Sequence, residues 1–356
     1  MRRAAVAVAA VAAAAVAATL ALGGSRASGE YAVDRLVSDG GVPAARHDAH
    51  LVNAWGLAAE PGGVWWTANE ANDTSTLYSA QGRKQLLTVA VDGGPTGIAY
   101  SGGNGFRVSA GGTSAPARFV FACEDGTLRA WSPVVPRGWS RRSEVVVDDG
   151  AIAAVFRGVA IAGDRLYATD FHNARVDVFD SDWHRIVRAD AFTDPSIPAW
   201  YAPFGVSVID GHVFVTYVWR APVDGNDAPT GGYVDEYDLD GRLLRHVGAL
   251  GHLNAPWGLA LAPGSFGRYG GDLLVGNFGD GRINAFRFSH NAWAFDGTLR
   301  GRNGKPLVLN GLWALAFGKG GGTGAADRLF FSSGPHAWRG PTELQVHGLI
   351  GSIAPA

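Results

Sequence analysis

The sequence predicts an all-β chain folded as a six-bladed β-propeller and closed by an N-terminal strand in the last blade. Three observations lead there. First, a short phrase recurs six times: Ala54-Trp55-Gly56-Leu57-Ala58, Pro95-Thr96-Gly97-Ile98-Ala99, Phe156-Arg157-Gly158-Val159-Ala160, Pro203-Phe204-Gly205-Val206-Ser207, Pro256-Trp257-Gly258-Leu259-Ala260 and Leu312-Trp313-Ala314-Leu315-Ala316. Its central small residues are 41 to 61 residues apart, about one propeller blade per repeat. Second, each copy is followed by turn residues and β-rich runs, such as Asp164 to Asp170 and then Arg175 to Asp180. Third, the last repeat is one strand short, and an orphan strand stands at the start of the chain.

Taken in order, residues 1–28 stand outside this architecture. Arg2 and Arg3 precede an apolar run from Ala4 to Leu22, and Ser25-Arg26-Ala27 supplies small residues around a cleavage point. That order is a secretory signal peptide. The run is long enough to span a membrane, but alanine dominates it and is a weak membrane residue, so cleavage is expected, with no stable span afterwards. No Cys follows the run, which excludes a lipid anchor at that point.

Residues 29–356 are expected to form one propeller domain, since no linker or charge run divides them. Hydrophobic residues make up 47% of the chain and Gly numbers 51, which suits short strands joined by tight turns. The net charge of −2 with scattered basic residues excludes a nucleic-acid-binding surface. The single cysteine, Cys123, in Phe119-Val120-Phe121-Ala122-Cys123, reads as a small buried hydrophobe. A monomer is expected.

Each blade needs a fourth, outer strand, and the candidates are Gln85–Val91, Glu144–Val147, Ala189–Thr193, Arg245–Leu250 and Pro306–Leu309. The last blade lacks one after Leu344–Ile353, while Tyr31–Val37 has no partner nearby. The economical solution pairs the two and removes the exposed edges of an open ring.

In this architecture the first strand of each blade lines the axis, so the residues before each small residue and the loops between second and third strands meet at one mouth. The first set contains Asn53, Trp55, Thr96, Arg157, Phe204, Asn254, Trp257 and Trp313. Aromatic residues hold equivalent places in four blades, with Arg157 and Thr96 in the other two. Two readings are open. The rings plug the channel as core, or Trp55, Thr96, Arg157, Phe204, Trp257 and Trp313 line a pocket for a planar, sugar-like or anionic organic ligand, with Arg157 as its polar anchor.

The ionisable groups expected to reach the mouth are Asp170, His172, Glu124, Glu70 and His336. Asp170, His172 and Glu124 are the candidates for acid–base chemistry. The recurrence of an acid and an Arg across a tight turn, in Asp170 to Arg175 and Asn277 to Arg282, reads equally as a structural clasp. No Gly-x-Ser-x-Gly context supports a serine hydrolase. The loop Val218–Gly232, rich in Gly and Pro, is expected to overhang the mouth near Phe204 and Trp257.

These phrases carry a resemblance over nearly the whole mature chain. Asn53 to Ala58, Thr74 to Tyr78, Ala168 to Asn173, Phe192 to Ser196, Pro256 to Pro263, Leu274 to Phe286 and Gly311 to Gly318 resemble a family of uncharacterised exported bacterial proteins, some of which carry a PEP-CTERM sorting tail. The Gly351 to Ala356 end has no such tail. More distantly, the Pro-x-Gly-Ile-Ala type repeat is similar to the NHL and SMP-30/gluconolactonase six-bladed propellers. That resemblance implies a divalent metal held by Asn and Asp just before the Gly-Leu phrase. Here those places hold Trp55, Thr96, Arg157, Phe204, Trp257 and Trp313, so no metal or other cofactor is expected.

The resulting expectation is a secreted or cell-envelope propeller that binds a small organic or carbohydrate-type ligand, or a protein partner, at an aromatic axial mouth. A lactonase-, esterase- or lyase-like enzyme using the same mouth and a structural envelope protein are the alternatives, because propellers host many functions.

Overall fold

The computed structural model describes residues 29–220, 231–339 and 343–356, so the expected signal peptide lies outside the described residues. Six small sheets stand in a ring, the six-bladed β-propeller the repeats predict. The inner strands are Ala54–Ala58, Pro95–Tyr100, Phe156–Ala162, Tyr201–Ile209, Pro256–Leu261 and Leu312–Phe317. Each neighbours the next around the axis, and the last neighbours the first. Among the described residues no helix is long and apolar enough to cross a membrane.

The repeated phrase marks a break in pairing. In all six inner strands the register with the second strand shifts at the phrase, between Ala54 and Leu57, Pro95 and Ile98, Phe156 and Val159, Pro203 and Val206, Pro256 and Gly258, and Leu312 and Leu315. Such a bulge turns backbone groups away from their own ladder. Hydroxyls of the second strands take them up: Gly158 N donates to Thr169 Oγ1 at 2.7 Å, Gly205 N to Thr216 Oγ1 at 2.8 Å and Ala314 N to Ser332 Oγ at 3.1 Å. Thr169 Oγ1 in turn donates to the Phe204 carbonyl of the next blade at 2.8 Å. The phrase needs a small residue because inner strands crowd there. A Cβ on Gly258 would lie 2.3 Å from the Trp313 carbonyl oxygen, and one on Gly205 2.4 Å from that of Trp257.

Between blades the cores are apolar and aromatic. Trp66 stacks on Phe119 at 4.2 Å between the first and second blades, and Phe106, Phe156 and Phe179 lie in the core between the second and third. Cys123 is buried in the first of these cores, and burial pushes its thiol far above the ordinary range. It acts as a small hydrophobe, as expected.

The ring closes as the missing strand requires. Glu30–Ser38 runs antiparallel to Leu349–Pro355, with Tyr31 opposite Pro355 and Ser38 opposite Leu349. Leu349–Pro355 pairs in turn with Leu329–Ser333. Tyr31 adds a link to the fifth blade: its buried hydroxyl donates to the Phe266 carbonyl at 3.1 Å.

Three expected strand positions are corrected. Leu344–Ile353 is not one strand: Glu343–Val346 pairs with His336–Arg339 in a separate hairpin, and Leu349–Pro355 is the blade's third strand. In the third blade the outer strand is Arg185–Ile186 rather than Ala189–Thr193, because the Asp180 carboxylate accepts from the amides of Asp182 and His184 and turns the chain back early. In the fifth it is Ala292–Thr298 rather than Pro306–Leu309. There His290 and Asn291, with φ of 50° and 63°, make a two-residue reversal without the glycine that usually announces one.

Candidate axial site

The inner strands deliver the residues before each small residue to the axis, where four rings close one end of the channel. Trp55 and Trp313 stack with centroids 3.5 Å apart. Trp257 stands edge-on to both, at 6.3 and 5.9 Å, and Phe204 does the same at 6.3 and 5.9 Å. Exposure is 4% for Trp55, 0% for Phe204, 8% for Trp257 and 2% for Trp313. The rings fill one another's space. Phe171 joins them from the third blade, and half-buried Phe278 stacks on Trp313 at 4.0 Å.

Arg157 belongs to this cluster. Its guanidinium lies over the rings of Trp55 and Phe171, 5.3 and 5.5 Å from their centroids, and pairs with the partly exposed Glu124. A buried guanidinium needs such a carboxylate, and the cation–π contacts add to it. The neighbouring Asn53 amide donates to Glu70 Oε2 at 2.5 Å and its oxygen accepts from Trp313 Nε1 at 3.3 Å.

Thr96 does something different from the other five. Its buried hydroxyl lies within hydrogen-bond distance of two carbonyls, Ala122 at 3.1 Å and Phe156 of the next blade at 3.0 Å. It ties blades together. Asp170 is fully buried and saturated: it accepts from the amides of Val155 and Asn173, each at 3.2 Å, and from the Asn173 side chain at 2.7 Å, with Arg175 at 3.5 Å. That is the structural clasp. His172 is half-buried beside it, and its backbone carbonyl accepts from Arg220. The His336 side chain and residues 221–230 of the expected covering loop lie outside the described residues.

Beyond the plug the channel is open. A cavity of about 480 Å³ occupies the other end of the axis, between the halves of the inner strands that follow the repeated phrase. Leu57, Ile98, Val159, Val206, Leu259 and Leu315 are among its lining, and Trp257 belongs both to this lining and to the plug. The indole N–H of Trp257 is buried and finds no acceptor among the described residues. The other indole of the lining, Trp65, donates to the Thr323 carbonyl at 3.2 Å. The sequence placed the aromatic residues on the axis, but it gave no sign that the free space lies on their far side.

One polar cluster away from the axis was also missed. Asp194, Asp235 and His246 hold their ligand atoms within 4.8 Å of one another in the fourth blade. His246 Nδ1 is 3.0 Å from Asp235 and 3.3 Å from Asp194. Burial pushes the Asp235 carboxyl up to about 6, and its hydrogen bond raises His246. The three residues come from three separate segments, so no spacing announces them.

The metal site of lactonase-type propellers does not fit the axis. Where carboxylates and amides would be needed stand three indoles, a phenyl ring, a guanidinium and a threonine hydroxyl already engaged between blades.

Fold and axis together define a six-bladed propeller with an aromatic plug at one end of its channel. No model of a known protein family matches the chain. Uncharacterized protein L690 of Acanthamoeba polyphaga mimivirus is 32% identical over 308 residues, covering 83% of this chain and 80% of that protein. Uncharacterized protein R648 of the same virus is 34% identical over 350 residues, covering 93% and 82%. The chain belongs to the family of these two proteins. Among solved structures, the soluble aldose sugar dehydrogenase of Escherichia coli in its apo form aligns over 92% of this chain and 100% of its own, with a TM-score of 0.54 at 12% identity. That is a likeness of fold.

Proposed function

We propose that this protein is an exported binding propeller that takes a small organic ligand on its axis without performing chemistry on it. The observation that carries the reading is the division of the channel, plugged by Trp55, Phe204, Trp257 and Trp313 at one end and hollow over about 480 Å³ at the other. A channel that served only as core would be filled along its length, because interiors pack closely. A hollow of this size, lined by apolar side chains and by polar inner-strand backbone, suits a small molecule. Export rests on the composition of residues 1–28.

In this reading the rings form the ligand's floor through Trp257, and Arg157 with Glu124 belongs to the opposite side of the plug. A hydrolase or lyase at the mouth is less well supported, since Asp170 is committed to backbone amides and Glu124 to Arg157. The test is a thermal-shift and NMR binding screen of neutral and anionic organic molecules and sugars against the secreted protein. Ala316 lines the hollow, so Ala316→Trp should abolish binding of any hit. Turnover of an ester or lactone that is lost in Glu124→Gln would favour the enzyme.

A further inference from the structure

We infer that the second blade carries a further binding site, away from the axis: a groove that takes an acidic saccharide on Trp139 and Arg137. The groove holds about 870 Å³ and is formed by two insertions of that one blade. One is an extra hairpin, Arg107–Ala110 with Thr113–Pro116, set between the inner and second strands. The other is the connection between the third and outer strands, residues 132–143. Both leave the blade at the same end. Phe119 pairs with Tyr100 on one side and with Trp131 on the other, and Tyr100 also lines the axial hollow. The groove therefore lies on the hollow's side of the disc.

The connection is anchored on both sides of the residues it displays. Val135 and Ser140 are buried. Ser140 N donates to the Pro133 carbonyl at 3.1 Å, and the Ser140 carbonyl accepts from Trp131 Nε1 at 3.2 Å. Further on, Ala90 of the first blade donates to the Arg141 carbonyl at 2.7 Å and accepts from Ser143 N at 2.9 Å. Between these anchors Val134 is 50% exposed and Trp139 87%. Arg137, two residues before Trp139, makes no ion pair and no side-chain hydrogen bond among the described residues, and no carboxylate lines the groove. A Trp and an Arg held ready in this way are the residues that binding surfaces use most. The hairpin adds the hydroxyls of Thr113 and Ser114. Ser114 Oγ accepts from Arg107 Nε at 3.2 Å and keeps its own proton to donate.

These groups match a sugar acid. Its C–H face packs on the exposed indole, its carboxylate takes the guanidinium in a two-pronged hydrogen bond, and its hydroxyls meet Thr113 and Ser114. Because the groove is open, the remaining hydroxyls stay in water. A neutral apolar molecule would make no use of Arg137, and a cation would be repelled by it. A bilayer is flat, so it does not complement a concave groove.

The experiment uses trigalacturonate, its neutral counterpart galactotriose, and vesicles of phosphatidylglycerol and phosphatidylcholine as probes. Affinity is read by titration calorimetry on the protein of residues 29–356. Trigalacturonate should bind about tenfold tighter than galactotriose, the worth of one charge-assisted contact. Arg137→Gln should remove that advantage, and Trp139→Ala should weaken trigalacturonate about tenfold. Both side chains are exposed, so the two variants should melt with the parent protein. Ala316→Trp, which fills the axial hollow, should leave trigalacturonate binding unchanged. A loss in that variant would move the sugar to the axis and overturn the groove. Equal affinity of the parent for the two trisaccharides would overturn the role of Arg137, and an unchanged affinity in Trp139→Ala would overturn that of the indole. Failure to bind trigalacturonate, whether or not the vesicles bind, would overturn the site.

Discussion

The Ser332 hydroxyl donates to the carbonyl of Trp55, 277 residues earlier in the chain, and accepts from Ala314 N in its own blade. It joins the sixth blade to the first at the level of the aromatic plug, as Thr169 joins the third to the fourth. All the groups involved are buried. Ser332→Ala therefore leaves one donor and one acceptor unpaired and should cost about 1–3 kcal/mol. Urea unfolding measures it, and Ser332→Thr, which keeps the hydroxyl, should recover much of the loss. Equal losses in the two variants would refute the role of the hydroxyl.

Trp313 stacks on Trp55 and Phe278 and is 2% exposed. Trp313→Ala should cost about 3–5 kcal/mol, as for a large ring removed from a packed core. A loss below about 1 kcal/mol would mean that the plug is loosely assembled in solution.

Arg157 and Glu124 differ in what their removal leaves behind. Glu124→Gln removes the negative charge paired with a buried guanidinium, whereas Arg157→Met frees a partly exposed carboxylate and keeps apolar bulk between Trp55 and Phe171. Breaking a pair from one side is worse than replacing its buried member with an apolar residue. Glu124→Gln should thus lower the melting temperature more than Arg157→Met does. The reverse order would show that the plug depends on the guanidinium itself.

The Asp194, Asp235 and His246 cluster makes stability depend on pH. Burial holds the folded-state Asp235 carboxyl at about 6, above its ordinary 3.8, and Asp235 raises His246 above its ordinary 6.5. In both cases the folded protein binds more protons than the unfolded chain. Stability from this cluster therefore falls as pH rises, first between about 4 and 6 through Asp235, then beyond 6.5 through His246. Asp235→Asn should flatten that slope in melting temperatures taken from pH 4 to 7. A profile parallel to that of the parent protein would remove the cluster from the account.

Glu30–Ser38 supplies the outer strand of the last blade. Deleting residues 29–38 exposes the edge of Leu349–Pro355 and removes Tyr31 from the core it shares with Phe266. The urea midpoint of the whole ring should fall in a single cooperative transition. An unchanged midpoint would show that the ring holds without its staple.

What could be read beforehand follows from which constraints are local. The repeated small residue is visible because strand crowding beside Gly205 and Gly258 admits nothing larger without a shift. The closing strand is visible because a blade without an edge strand is incomplete. The aromatic set is visible by position, but the 3.5 Å stack of Trp55 on Trp313 and the hollow beyond Trp257 depend on how far rings from opposite sides of the ring reach. Thr96 shows the same limit. It occupies the slot of the axial residues, yet its short hydroxyl side chain bonds to carbonyls at the blade junction. Outer strands were the least legible, since His290-Asn291 reverses the chain without glycine.

The pairing of Tyr31 with Pro355 and of Ser38 with Leu349 sets the first and last described strands head to tail, with Ala356 N donating to the Glu30 carbonyl at 3.0 Å. Tension applied between the two ends of the domain would load these rungs one after another from the Tyr31–Pro355 end, like a zip, and not all at once in shear. The seal that makes the ring closed to neighbouring strands is therefore its weakest point under pulling. Joining residues 30 and 355 through a short linker, and cutting the chain between two other blades, would move the opening to a junction held by intact four-stranded sheets on both sides.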